Sequence, residues 1–173
     1  MGGIFSNKRC FNTNMQCIRE LRSFDRRQVF SLLNDINTVY PCGFEWLDEK
    51  FNDILLRKAY GVGLFAAGDL VGLGIETPKG VREVKLSTLK VRADKRNCGV
   101  GFVLMNHLKK RWLKNSVDKA IVTVETSNIG TKNYLKKYGN FTTIDTLSNK
   151  YKTGSSEDIL SCSLEDVNVC PQN

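Results

Sequence analysis

The spacing of apolar residues changes several times along the chain, and each change marks an element. Residues 15–21, MQCIREL, alternate apolar and polar as a strand does. From Phe24 to Ile36 the apolar residues Val29, Phe30, Leu32, Leu33 and Ile36 recur at helical spacing, with Asp25 near the start, which predicts a helix. Pro41-Cys42-Gly43 breaks the chain. A second helix is predicted over Trp46–Tyr60, with Trp46, Leu47, Phe51, Ile54, Leu55 and Lys58 or Ala59 on its buried face.

Two apolar runs in GVGLFAAGDLVGLGIE flank Ala67-Gly68-Asp69, a hairpin signature that TPKG ends. Arg82–Val91, REVKLSTLKV, reads as a central strand, with Val84, Leu86 and Thr88 on one side and Lys85, Ser87 and Leu89 on the other. A helix follows in FVLMNHLKKRW. Ala120–Glu125 is rich in β-branched residues and reads as a strand. Asn128–Tyr138 has helical spacing, with Gly139 as its stop. NFTTIDTL and DILSCSL close the pattern as strands. The order is β-α-α-β-β-β-α-β-α-β-β, which predicts an α+β fold with helices on both faces of one sheet. A domain over 15–164 is expected, between a polar arm at 1–14 and a tail at 165–173.

Composition narrows the classes. At 173 residues and 41% hydrophobic, the chain has the length of one domain with one sizeable core. No apolar run approaches the roughly 18–20 residues of a membrane span. The start carries no secretory signal, so a cytoplasmic protein is expected. MGGIFSNKR matches the myristoylation pattern at Gly2, with a plain polar arm as the competing reading. The cysteines at 10, 17, 42, 98, 162 and 170 form no C-x-x-C pair, and the single His107 has no neighbouring ligands, so no metal site is expected. Free thiols are the expectation, and a disulfide framework is the alternative.

The net charge is +8 and unevenly spread. Residues 155–173 hold four acidic residues and no Lys or Arg, leaving 26 basic against 14 acidic residues in 1–154, a net +12. From Lys79 to Lys114 eleven basic residues face only Glu83 and Asp94. Such a field attracts polyanions, whether nucleic acid, a phosphorylated cofactor or an acidic protein face. A solvated basic surface is the plain alternative.

Within that basic stretch lies Arg96-Asn97-Cys98-Gly99-Val100-Gly101. Gly99 and Gly101 lack Cβ atoms, so backbone can approach a ligand closely there. The first turn of the next helix offers N–H groups without intrahelical partners, at the positive end of the helix dipole. Together these make an anion cradle suited to phosphate. No Gly-Lys-Ser/Thr closes the turn, and Leu104 stands where a dinucleotide fingerprint needs glycine. Glycines that merely let a helix pack on a strand would leave the same pattern.

The strand KLSTLKV, the turn Arg96-x-x-Gly99-x-Gly101 and the helix FVLMNHLKK together resemble motif A of the GNAT acetyltransferase superfamily. The helix is especially similar to that of the histone-type lysine acetyltransferases. VTVETSN and a helix ending KKYGNF resemble the family's motif B. The resemblance implies a mixed, mostly antiparallel sheet with a splayed central strand pair. It also implies acetyl-CoA as co-substrate, bound in the split between the strand ending at Val91 and the strand at 120–125. The cofactor residues it implies are Leu89, Lys90, Val91, Arg96, Asn97, Cys98, Gly99, Val100, Gly101, Phe102 and Asn128. Pantetheine would pair with Leu89 and Val91, pyrophosphate would take N–H groups from Asn97 to Phe102, and an N–H near Leu89 would face the thioester oxygen.

The chemistry needs a base for the amine and an acid for the thiolate. Lys85 occupies the place of the histone-type enzymes' Glu, so Glu83 becomes the candidate base, with Glu76 and Glu125 behind it. Leu135 occupies the place of the family's acid Tyr, so Tyr134 becomes the candidate acid, although on a helix it points about 100° away. These readings describe an N-acetyltransferase acting on a primary amine, either a protein lysine or N-terminus or an aminoacyl-tRNA. The alternative is a catalytically weak module of the same fold that binds nucleic acid or an acidic protein. A homodimer through sheet edges is a further expectation.

Overall fold

A computed structural model of the chain describes residues 16–148 and 154–164. The expected arm at 1–14, with its Gly2 pattern, and the tail at 165–173 lie outside the described residues.

Seven strands form one sheet: β1 (Gln16–Glu20), β2 (Tyr60–Ala66), β3 (Asp69–Pro78), β4 (Glu83–Val91), β5 (Lys119–Glu125), β6 (Thr142–Ser148) and β7 (Ser156–Ser163). Their order is β1-β2-β3-β4-β5-β7-β6. Neighbours are antiparallel except β4 and β5, which run parallel. Five helices join them: α1 (Arg26–Leu32), α2 (Ile36–Val39), α3 (Gly43–Leu55), α4 (Val100–Lys114) and α5 (Ile129–Tyr134). None is long and apolar enough to cross a membrane.

The sheet carries a core on each face. On one, Val29 of α1 and Leu47, Phe51 and Ile54 of α3 bury against Phe65, Leu70, Leu73 and Ile75 of β2 and β3. On the other, Val100, Leu104, Met105, Leu108 and Trp112 of α4 meet Val84, Leu86, Val122, Val124 and Leu160. Alternation along β3 serves both faces. Leu73 and Ile75 face α1 and α3, while Gly72 and Gly74 let α4 approach. A Cβ on Gly72 would stand 2.7 Å from Val100 Cγ1, and one on Gly74 would stand 3.0 Å from Leu108 Cδ1. The glycines expected only as part of an apolar run therefore set the depth at which α4 sits.

Three boundaries and one strand register differ from expectation. The helix expected over 24–36 stops at Leu32, because Leu33 and Ile36 both bury and the exposed Asn34-Asp35 must turn between them. The helix expected over 46–60 is α3. It starts earlier, at Gly43, and stops at Leu55; Arg57 then turns left-handed (φ 58°), and Tyr60 opens β2. The helix expected over 128–138 is α5 followed by one π turn, Leu135–Gly139. Its left-handed stop is Asn140 (φ 59°), not Gly139. Gly139 is needed for space instead, since a Cβ there would stand 2.5 Å from the Phe141 ring. The Ala67-Gly68 hairpin turn is as expected, with both residues at positive φ (51° and 87°) as a tight primed turn requires.

The fourth difference lies in β4. The β3–β4 register passes from Ile75 opposite Thr88 to Glu76 opposite Leu86, which leaves Ser87 as a bulge. One extra residue reverses the faces beyond it. Leu89 and Val91 therefore pack on the α4 core with Val84 and Leu86, not beside Lys85 and Ser87 as strict alternation predicted. Thr88 and Lys90 take the opposite face.

Candidate functional site

Strands β4 and β5 pair only at Glu83–Lys119, Val84–Ala120 and Lys85–Ile121. Beyond Lys85 they separate, and the edges that face each other make no ladder. A cleft of about 940 Å³ opens there. β4 from Leu86 to Val91 forms one wall, and Val122 to Glu125 of β5 form another. The connection through Leu33, Asp35, Ile36 and Tyr40 closes one side, and Tyr134, Leu135 and Tyr138 close the other.

At one end the cleft meets the turn into α4. Asn97 (φ 60°) and Gly99 (φ 83°) both take the left-handed conformation, which glycine adopts freely and asparagine tolerates. Gly99 is the N-cap of α4, and no side chain caps the helix. Its first-turn N–H groups are therefore open to an anion, at the positive end of the dipole. Gly101 has a different reason. A Cβ there would stand 3.2 Å from the Tyr134 hydroxyl, so glycine makes room for the tyrosine.

Most expected cofactor residues meet in this cleft. Leu89, Lys90, Val91, Arg96, Asn97, Gly99, Gly101, Phe102 and Asn128 all line it. Asn128 also caps α5, accepting from the Thr131 N–H at 3.1 Å. Val100 points into the core, 2% exposed, so it can offer a ligand only backbone. Cys98 is half-buried and outside the lining residues. Lys90 Nζ donates to Asp35 at 2.6 Å across the α1–α2 connection. That hydrogen bond, outweighing burial, holds the Asp35 carboxyl below its ordinary pKa.

The two expected catalytic residues separate. Tyr134 lines the cleft; its hydroxyl is buried and makes no hydrogen bond among the described residues. Burial, aided by the neighbouring Tyr138, pushes it up to about 12. Its ring lies 5.3 Å from Tyr138, which meets Phe102 edge-on at 5.7 Å. Glu83 stands at the closed end of the β4–β5 pair, 3.6 Å from Lys119 Nζ, and is not among the cleft's lining residues. The lining carboxylates are Asp35 and Glu125. Glu76 is 3% exposed and points away, its carboxylate taken by Arg111 at 2.9 Å and by the Trp112 indole.

Sequence reasoning missed the bulge at Ser87, which lines the cleft and bonds Thr77 at 3.1 Å. Serine in a strand gives no signal of a bulge. It also missed Asp35, whose place depends on the α1–α2 turn. His107 is half-buried, with Nε2 2.9 Å from the Tyr60 hydroxyl; burial and then Arg111 push its pKa down, which favours the neutral ring. None of Cys17, Cys42, Cys98 and Cys162 is in a disulfide, and no metal-binding cluster occurs among the described residues.

No protein-family model and no curated protein matches the sequence. Solved structures do match the fold. The ribosomal-protein-S18-alanine N-acetyltransferase of Escherichia coli superposes with a TM-score of 0.73 at 20% identity, over 91% of this chain and 100% of that one. Arabidopsis thaliana Naa50, in complex with the bisubstrate analogue CoA-Ac-MVNAL, gives 0.72 at 21% identity, over 86% and 99%. A GNAT family acetyltransferase of Elizabethkingia anophelis with acetyl-CoA bound gives 0.68 at 15% identity, over 87% and 99%. The chain has the GNAT acetyltransferase fold, with its parallel pair splayed in the middle of an otherwise antiparallel sheet.

Proposed function

We propose that this chain is an acetyl-CoA-dependent N-acetyltransferase that acts on a primary amine. The observation that carries the reading is the split between β4 and β5, which opens onto an uncapped helix N-terminus. The residues present fit the cofactor. Asn97 to Phe102 offer backbone N–H groups to a pyrophosphate, with the Arg96 charge beside them. The cleft edge of β4 at Leu89, Lys90 and Val91 offers backbone groups to the pantetheine amides. Asn128 stands at the opposite wall. The neighbours named for acetyl-CoA, a CoA bisubstrate analogue and N-acetyl transfer support the same reading.

When bound, the cofactor supplies an activated acetyl thioester. Tyr134 is the proposed acid. It stays protonated at neutral pH, and no described residue engages its hydroxyl. Glu125 replaces Glu83 as the proposed base, because it lines the cleft and makes no side-chain hydrogen bond among the described residues. It would take the amine proton directly or through one water.

For the acceptor, a polypeptide amine is favoured by the alanine and peptide named for two neighbours. An aminoacyl-tRNA is favoured by the cations of α4 and of the π turn, Lys110, Lys114, Lys136 and Lys137, all exposed. One observation favours a weakly catalytic binding module: no carboxylate of β4 lines the cleft.

Calorimetry with acetyl-CoA tests the reading, comparing wild type with Gly99→Glu/Gly101→Glu and with the milder Gly101→Val, each checked for folding. Micromolar binding by wild type and none by the folded double variant is expected. Release of CoA thiol with amine-bearing peptides or charged tRNA then separates enzyme from module. Absence of acetyl-CoA binding by folded wild type overturns the transferase reading and leaves the basic binding module.

A further inference from the structure

The C-terminal end of α4 borders a second cavity, of about 250 Å³, which shares no lining residue with the cleft. Its polar wall comprises Glu20, Arg57, Lys58, Tyr60, Glu76 and Arg111. Arg111 is the organised member. Its Nε donates to Glu76 Oε1 at 2.9 Å, and its Cζ lies 3.8 Å from the centroid of the Tyr60 ring. Both supports are themselves held. The other Glu76 oxygen accepts from the Trp112 indole, and the Tyr60 hydroxyl meets His107 Nε2 at 2.9 Å. The guanidinium is thus fixed in plane against a ring and a buried carboxylate.

A guanidinium has five N–H donors, and Glu76 uses the one on Nε. The terminal nitrogens of Arg111 hydrogen-bond to no other described residue, and the side chain lines the cavity. Neutralising Glu76 needs no such fork, and a lysine would do it as a point charge. Arg57 and Lys58 add two cations on the rim, against Glu20. Glu76 and Arg111 offset one another, so the remaining charge is positive. A rigid planar fork in a positive pocket is suited to an anion with two coplanar oxygens. The volume is below the roughly 300–1,000 Å³ of pockets for drug-sized ligands, so the occupant is small.

We propose that this pocket is a second anion-binding site, in which the Arg111 fork holds a small carboxylate or phosphate. The site is independent of the cofactor reading.

Trp112 supplies the readout, because its indole bonds the carboxylate that orients Arg111. The chain has two tryptophans, and Trp46→Phe leaves Trp112 alone to report. Succinate and inorganic phosphate are titrated separately at constant ionic strength, with chloride as control. A saturable, millimolar-class change in Trp112 emission is expected with at least one of them, and whichever saturates identifies the ligand class. Arg111→Lys should weaken it about tenfold, since the charge stays and the fork goes. The rim variant Arg57→Ala/Lys58→Ala, which leaves the core untouched, should weaken it about threefold. The same response in Gly101→Glu places it outside the cofactor cleft. No saturation with either anion in folded protein overturns the proposal, and so does an equal response in Arg111→Lys and its parent.

Discussion

Helix α4 ends in two different kinds of site. Its N-terminus presents backbone: Gly99 turned left-handed, Gly101 stripped to admit Tyr134, and a first turn without a cap. Its C-terminus presents side chains: Arg111 and Trp112 on Glu76, with Tyr60 beneath the guanidinium. The first end gives up hydrogen bonds to leave donors for a ligand. The second satisfies a buried carboxylate and anchors the helix to β3. Cofactor binding and the anchoring of the helix should therefore divide between its two ends.

The largest effect expected is at the anchored end. Trp112 is fully buried and packs edge-on with Phe141 at 6.4 Å. Trp112→Ala should cost about 3–5 kcal/mol of stability and strand Glu76, as read from urea unfolding. An unchanged urea midpoint would erase the contrast between the ends.

Next comes Tyr134. Tyr134→Phe should lower kcat about 100-fold, about 2.7 kcal/mol, with little loss of acetyl-CoA affinity or stability. It also carries a pH signature. Its folded pKa is raised above the ordinary value of 10.0 to about 12. A group raised in the folded state contributes fully below the unfolded pKa, and that contribution is lost as pH rises through the folded one. Wild-type stability should thus fall between pH 10 and 12 by more than that of Tyr134→Phe.

A smaller effect is expected at Gly101. Gly101→Ala should weaken acetyl-CoA binding about fivefold, roughly 1 kcal/mol, by pressing on Tyr134; calorimetry reads it. The smallest is at Glu83. Glu83→Gln removes a partly exposed pair with Lys119 outside the cleft, so stability should change by less than about 0.5 kcal/mol. Its kcat should stay within about twofold of wild type. A large loss would return the base to β4 and move the chemistry toward the closed end.

The turn 96–101 was legible because its meaning lies in local backbone. Two glycines ahead of an amphipathic helix imply an uncapped N-terminus wherever that helix goes. Tyr134 was less legible. A helix of regular period sets it about 100° from Leu135; in the fold Leu135 is 1% exposed in the core, and Tyr134 falls to the cleft. Glu83 looked suitable because it stands two residues before Lys85, on the same face of the strand. The chain alone does not reveal that β4 and β5 are still paired at that point.

The order of the strands, the hairpin at Ala67-Gly68, the glycine turn and the basic field around it were settled by sequence, because each depends on residues near one another in the chain. Tertiary structure alone decided the others. Glu76 and Arg111, 35 positions apart, meet only because α4 lies on β3 at the depth that Gly72 and Gly74 allow. The bulge at Ser87 reverses the faces of β4 only because β3 holds its register on both sides. The split opens because β5 leaves β4 after Lys85 to pair along its whole length with β7. Such features depend on which strands find each other, and the period of a single segment carries no record of its partner.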